Sequence, residues 1–302
     1  MEKQTQTEVI IIGGSYAGLS AAMALGRARR RVVVLDSGQP CNRQTPRAHN
    51  FITQDGQPPQ AIRDRARQQV LAYPSVTVVT DEAVAATRQG TGFVVSTASG
   101  VVYAAAKILF ATGVKDLMPA WPGFAECWGI SVLHCPYCHG YEVGDQPLGV
   151  VGNGDLGFEF ARLLRQWSPR LTLFTNGPAT LSPDQAQRLE QAGIRIAEAA
   201  IDHFDHTAGH LRHVVLTDTT QVPLAAMFAR VPFELPCLLP VGLGCVLSET
   251  GHIQVDEMQR TSVPGVFAAG DATTPMRSVA VAVAAGSKAG SFLNHELVAE
   301  SL

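Results

Sequence analysis

Val9-Ile10-Ile11-Ile12-Gly13-Gly14-Ser15-Tyr16-Ala17-Gly18 is the stretch from which the fold is read. Four β-branched apolar residues in a row suit a strand buried on both faces, and the glycines behind them permit a tight turn. Leu19 to Leu25, rich in alanine, then suits a close-packed helix. A second apolar run, Val32-Val33-Val34-Leu35, ends on Asp36. Strand, turn, helix, strand and acid in this order describe a dinucleotide site. The turn aims backbone N–H groups at a pyrophosphate lying on the helix N-terminus, and the acid accepts hydrogen bonds from ribose hydroxyls. Ser15 replaces the middle glycine of the usual pattern and is small enough to let a ligand come close.

The same plan returns further along. Leu148-Gly149-Val150-Val151 leads into Gly152, Gly154 and Gly157, a full G-x-G-x-x-G, and a helix through Leu164. The next strand, Leu171-Thr172-Leu173-Phe174, ends at Thr175-Asn176-Gly177. At that place NAD is met by an acid and NADP by arginines, but no charge is present; Arg165 and Arg170 come before the strand. A nucleotide scaffold with altered or lost nicotinamide binding is therefore expected.

The segments around these units alternate in the same manner. Thr91 to Ser96 and Val101 to Tyr103 read as strands about the turn Ala98-Ser99-Gly100. Lys107 to Phe110 reads as a buried strand ending at Ala111-Thr112-Gly113, and Val263 to Asp271 as a strand ending in an acid, before an Ala-rich helix from about Ser278. Pro119 to Pro122 marks one crossing between domains; Pro232, Pro236 and Pro240 with Gly242 and Gly244 mark the return. The expected fold is α/β, with two Rossmann-like, three-layered domains, the second inserted in the first. Residues 1–117 and 246–302 form the discontinuous domain and 118–245 the insert.

Composition narrows the function. With 302 residues, 46% of them apolar and 16% charged, the chain can build two ordinary cores. Net charge is -3 and the longest basic cluster is Arg27 to Arg31, so nucleic acid is not the expected partner. Met1 to Glu8 is polar, with no signal-peptide core, and no stretch approaches a membrane span, which places the chain in the cytosol, away from membranes. Six cysteines in a reducing compartment are more often free or catalytic than a structural framework.

Cys135-Pro136-Tyr137-Cys138-His139 carries the chemistry. Two cysteines separated by two residues can close a disulfide, reopen it and move two electrons. A C-x-x-C is also half of a zinc site, and His134, Cys135, Cys138 and His139 offer four ligand types. Adjacent His-Cys and Cys-His pairs would have to fold back on one ion, however, and Cys41, Cys127, Cys237 and Cys245 form no second C-x-x-C, so no metal is expected. The thiolate is the attacking species, so His139 is placed to act as a base for it, with an ordinary pKa of about 6.5 suited to proton transfer at neutral pH. His134 is the weaker candidate.

In this order the landmarks Ile12 to Gly18, Asp36, Ala111-Thr112-Gly113, Cys135 to Cys138, Gly152 to Gly157 and Gly265 to Asp271 resemble the low-molecular-weight thioredoxin reductase family of FAD-dependent disulfide oxidoreductases, over essentially the whole chain. The resemblance implies FAD in the discontinuous domain, the cysteine pair in the inserted one, and a homodimer. It also implies that Gly13, Ser15, Tyr16 and Ala17 face the pyrophosphate and Asp36 the ribose. Arg43, Gln44 and Asn50 would lie in the segment that approaches the flavin, and Thr112, Gly113, Gly270, Asp271 and Val279 around the rest of the cofactor. Cys138 would be the flavin-facing thiol, and Cys135 the one that exchanges with substrate.

His139 stands where that family has an aspartate, and Thr175-Asn176-Gly177 where it has an arginine-bearing phosphate signature. Cys135 to Glu142 is instead similar to the branch holding the gliotoxin and holomycin dithiol oxidases and reductases that lack NADPH. The implied activity is thiol-disulfide oxidoreduction on a dithiol or disulfide, small molecule or thioredoxin-like protein, without NADPH. An NADPH-dependent thioredoxin reductase and a non-enzymatic flavin/thiol redox sensor are the competing readings.

Overall fold

A computed structural model of the chain describes residues 5–301. Met1 to Gln4, half of the polar N-terminal stretch, and Leu302 lie outside the described residues. The chain groups into two compact units: one runs through Arg43, resumes over Gln57–Lys115 and continues from Phe233, and the other comprises Gln44–Gly56 and Asp116–Pro232.

The first unit is built on a five-stranded parallel sheet, ordered Val266–Ala268, Lys107–Phe110, Val9–Ile12, Val32–Asp36, Val76–Thr80. Val9–Ile12 lies at its centre, where both faces are covered, which is why an unbroken β-branched run rather than an alternating one occupies it. One side of the strand, Ile10 and Ile12, shares a core with Phe93, Val95 and Tyr103 of a mixed sheet in which Ala83–Gln89, Gly92–Thr97 and Val102–Ala105 run antiparallel and Thr5–Gln6 joins the last in parallel.

On the opposite face lie the helices Tyr16–Arg27 and Val279–Ala299. They approach closely because alanines on one meet glycines on the other. A β-carbon on Gly286 would lie 2.0 Å from the carbonyl oxygen of Ala17, and one on Gly290 2.7 Å from that of Ala21. Close backbone approach of this kind is what an Ala-rich helix sequence allows.

The second unit repeats the design. Its parallel sheet is ordered Val132–Leu133, Ala226–Ala229, Leu148–Val151, Leu171–Phe174, Arg195–Ala197, and a three-stranded antiparallel sheet follows from Ile201 to Pro223. The helix Gly154–Leu164 buries Phe158, Phe160, Ala161 and Leu164 on one side. Pro183–Gln191 begins with a reciprocal cap, Ser182 accepting from the Gln185 N–H while the Gln185 side chain accepts from the Ser182 N–H.

The return from the second unit comes earlier than the sequence division at 246. Residues 233–245 group with the first unit because Leu235, Cys237, Leu239, Leu243 and Cys245 pack into the core around Ile10 and Phe110. Gln44–Gly56, within the first expected segment, groups with the second unit.

Candidate active site

The first glycine-rich turn is shaped by two close approaches. Gly13 has φ +108°, and a β-carbon there would lie 2.2 Å from the Ala111 carbonyl oxygen, so neither its conformation nor its surroundings admit a side chain. Gly14 is held against Asp36: a β-carbon on it would fall 2.6 Å from that of the aspartate. Ser15 begins the Tyr16–Arg27 helix in extended conformation without a side-chain cap. First-turn N–H groups of a helix have no acceptor within it, so Tyr16 and Ala17 present donors to an anion. The Tyr16 ring itself turns inward: its hydroxyl donates to the Pro59 carbonyl at 3.1 Å, accepts from Asn42, and is pushed up in pKa by burial.

The adjoining strand end supplies a further polar atom. Thr112 Oγ1 is buried with no hydrogen-bond partner, and the next residue, Gly113, with φ +66°, borders open space where a β-carbon would meet nothing. A buried hydroxyl without a partner costs about 1–3 kcal/mol, so its presence beside the turn fits a ligand that completes it. Asp36 accepts from the Gly38 N–H at 3.1 Å, leaving its second carboxylate oxygen for a ribose.

Gly270, φ +81°, packs against Ala17, and Asp271 stands beside Arg277, 3.6 Å away, and Cys41, 3.7 Å away. Val279 opens its helix under a Ser278 cap on the Val281 N–H. These residues fit a flavin dinucleotide. Arg43 is exposed, its guanidinium reaching back to the Pro40 carbonyl, while Gln44 and Asn50 belong to the other unit; Asn50, at φ +59°, donates its N–H to Asp55.

Within the second unit Cys135 and Cys138 form a disulfide, with α-carbons 5.3 Å apart. Pro136 fixes the first position of the short Pro136–His139 helix, Cys135 accepts from the Cys138 N–H at 3.2 Å, and Gly140 donates to Pro136 at 2.7 Å. Trp167 presses on this turn: a β-carbon on Gly140 would sit 2.6 Å from its ring, and Tyr137 meets the same ring edge-on at 5.4 Å. Among the other cysteines, burial pushes the thiols of Cys127, Cys237 and Cys245 up, which keeps them protonated and unreactive. Among the described residues no group of three or more His, Cys, Asp or Glu could hold a metal ion.

His139 differs from the sequence reading in one respect. Burial, and then the neighbouring His49, lower its pKa to about 4, with Glu142 offsetting part of the effect. It is neutral at pH 7, so it can take a proton from a thiol but does not stand beside the oxidised pair as a cation. His134 stacks on Trp128 at 6.2 Å, a packing role. Sequence reading missed His49 and Trp167, since nothing in their local spacing refers to the cysteine pair. His49 lies 3.4 Å from both Glu142 and Asp55 and edge-on to His139, ring centres 6.4 Å apart.

The second glycine-rich turn satisfies itself. Asn153 Oδ1 accepts from the N–H groups of Gly154 and Thr180, at 2.9 and 2.8 Å, and from the Thr180 hydroxyl at 3.1 Å. Its Nδ2 donates to the Pro178 carbonyl at 2.9 Å, so the loop after Leu171–Phe174 is stitched onto the turn. Glu198 accepts from the Ala179 N–H at 2.8 Å, placing a carboxylate on that loop. Arg165 bonds Ala192, Arg170 bonds Asp145 and Arg188 pairs with Asp184, all away from it.

Residues 7–286 match the family described as pyridine nucleotide-disulphide oxidoreductase. The chain is 31% identical to the thioredoxin reductase tcpT of Claviceps purpurea, over 99% of this chain and 97% of that protein. Among solved structures, an oxidoreductase from Agrobacterium tumefaciens superposes with a TM-score of 0.92 at 36% identity, covering 97% of this chain and 99% of the other. The crystal structure of HlmI gives 0.93 at 36% identity, covering 100% and 95%.

Proposed function

Because this chain belongs to the pyridine nucleotide-disulphide oxidoreductase family and is a thioredoxin reductase-like disulfide oxidoreductase, we propose that it exchanges electrons between Cys135–Cys138 and a bound FAD without NADPH. The observation that carries this reading is the pairing of a closed C-x-x-C disulfide, beside a neutral imidazole, with a second nucleotide turn whose polar groups are already bonded to one another. Gly13, Ser15, Ala17, Asp36, Thr112, Asp271 and Val279 would hold the FAD, and Tyr16 would contribute only its backbone N–H. When bound, FAD would supply a two-electron acceptor for the reduced cysteine pair.

The chain's own residues do the rest. Cys135 takes the substrate sulfur in a mixed disulfide, and Cys138 leaves as thiolate. His139, neutral at working pH, accepts the proton of the incoming thiol. Trp167 packs on Gly140 and holds the turn that carries both cysteines. The substrate is a dithiol or disulfide, and the protein works as a homodimer in the cytosol, where Cys41, Cys127, Cys237 and Cys245 stay reduced. No helix among the described residues is long and apolar enough to cross a membrane.

Oxygen consumption over many turnovers with dithiothreitol tests the reading, with Cys135→Ser and Cys138→Ser as comparison. The wild type should turn over and both variants should fall below detection while staying yellow; turnover surviving in both variants would return the pair to a structural role. The name thioredoxin reductase carried by tcpT favours the NADPH-dependent alternative, which a nicotinamide titration separates.

A further inference from the structure

Thiol exchange at Cys135–Cys138 moves protons as well as electrons. A substrate with two thiols gives up two S–H protons: its first sulfur bonds to Cys135 and breaks the Cys135–Cys138 bond, leaving the electron pair on Cys138. Its second sulfur then displaces Cys135, closing the substrate disulfide and leaving the two electrons on the two cysteine sulfurs. His139 is half-buried and disfavours holding a proton, so a proton taken from substrate must pass on before the next one arrives.

The surroundings offer a graded way out. His49 stands edge-on to His139 with ring centres 6.4 Å apart. Its Nδ1 lies 3.4 Å from Glu142 Oε1 and 3.4 Å from Asp55 Oδ2. Side-chain exposure rises along this row, from 17% at His49 to 40% at Glu142 and 66% at Asp55. Other charged and polar groups of the segment point elsewhere: the Arg47 guanidinium donates to the Gly56 carbonyl, and Asp55 Oδ1 accepts from the Asn50 N–H. His49, Glu142, Asp55 and His139 all belong to the unit that carries the disulfide. Two carboxylates on one imidazole nitrogen give a proton leaving that ring two acceptors on the way to solvent.

We propose that His49 is a positioning residue for thiol exchange at Cys135–Cys138, taking from His139 the proton a substrate thiol surrenders and passing it to water past Glu142 and Asp55. The proposal rests on the reading of the cysteine pair as the exchanging group. With a disulfide substrate the same row runs in reverse, delivering protons.

The test is the rate at which the holoenzyme's Cys135 and Cys138 become alkylatable after anaerobic mixing with dithiothreitol, followed from pH 6 to 9. This readout counts protein thiols and needs no turnover through the flavin. His49→Asn should slow thiol appearance at least 10-fold at neutral pH and approach the wild-type rate near pH 9, where the dithiol ionises unaided. Glu142→Gln combined with Asp55→Asn should slow it in the same direction by less. His139→Gln combined with His49→Asn should be no slower than His139→Gln alone, because the two act in series.

A His49→Asn profile parallel to wild type at every pH, or effects that multiply in the double variant, would overturn the relay. Flavin content measured on each variant identifies a collapsed fold, and a uniform slowing with flavin loss would assign His49 a structural role instead. A wild-type disulfide that dithiothreitol cannot open at any pH would sink the underlying reading of the pair, an outcome distinct from failure of the relay.

Discussion

Two glycine-rich turns, Gly13 to Gly18 and Gly152 to Gly157, sit in the same place on two parallel sheets, yet they leave different things undone. At the first, Ser15 caps nothing, Thr112 Oγ1 is buried without a partner, and Gly113 borders open space. At the second, Asn153 bonds the turn to the loop from Thr175 to Thr180, and Glu198 holds that loop with a carboxylate. The glycines make a sharp turn possible in both; whether a nucleotide is wanted there depends on which polar groups the chain has already satisfied.

Substitution of one glycine in each turn should break the symmetry most plainly. Gly13→Ala forces a side chain onto a φ of +108° and 2.2 Å from the Ala111 oxygen, and the protein should be purified colourless. Gly154→Ala, at φ +54° and 3.0 Å from Thr180 Oγ1, should cost about 1–3 kcal/mol of stability while the flavin stays bound. Equal flavin loss in both would erase the distinction between the turns.

His139→Gln should slow dithiol oxidation about 10²-fold with flavin retained, checked by steady-state kinetics and the visible spectrum. The same variant tests the depressed pKa. Unfolded, the imidazole takes a proton near pH 6.5, whereas folded it does so only at about 4, so the unfolded state binds more protons between these values. The contribution to stability is complete above pH 6.5 and is lost as the pH falls toward 4, by up to about 3 kcal/mol. Urea unfolding across this window should decline less steeply in His139→Gln; an unchanged slope would show that the ring is not desolvated.

Smaller effects sharpen the contrast. Thr112→Val, which keeps shape and removes the hydroxyl, should weaken flavin binding about 10-fold, the worth of one hydrogen bond, as read by flavin release in denaturant. Unchanged retention would mean that the hydroxyl serves no ligand. Asn153→Ala should cost about 1 kcal/mol in thermal stability through the lost cap and loop ties, with no gain in NADPH reactivity. A gain would show that the Asn153 stitching alone keeps the nicotinamide out.

The sheets were legible because burial on both faces demands runs such as Val9–Ile12 and Leu148–Val151, and the Cys135–Cys138 disulfide because two cysteines at that spacing can close one. Ala83–Gln89 escaped notice, since its largely exposed residues carry no apolar alternation. Pro232 signalled the return, but the membership of residues 233–245 in the first unit was hidden: Leu235 and Cys237 are ordinary residues whose core lies some two hundred positions upstream, at Ile10. His49 meets Glu142 and His139 only through the fold, and Asn153 reads as a neutral filler of G-x-G-x-x-G until Thr180 is seen donating to it. Periodicity reports what a residue buries locally, and these contacts are long-range.

On the proposed route the cysteine pair alone feeds the flavin. An anaerobic titration followed at the yellow absorbance band measures this directly, adding NADPH first and dithiothreitol second. NADPH should leave the colour unchanged and the dithiol should bleach it; rapid bleaching by NADPH would show that nicotinamide also reduces the flavin.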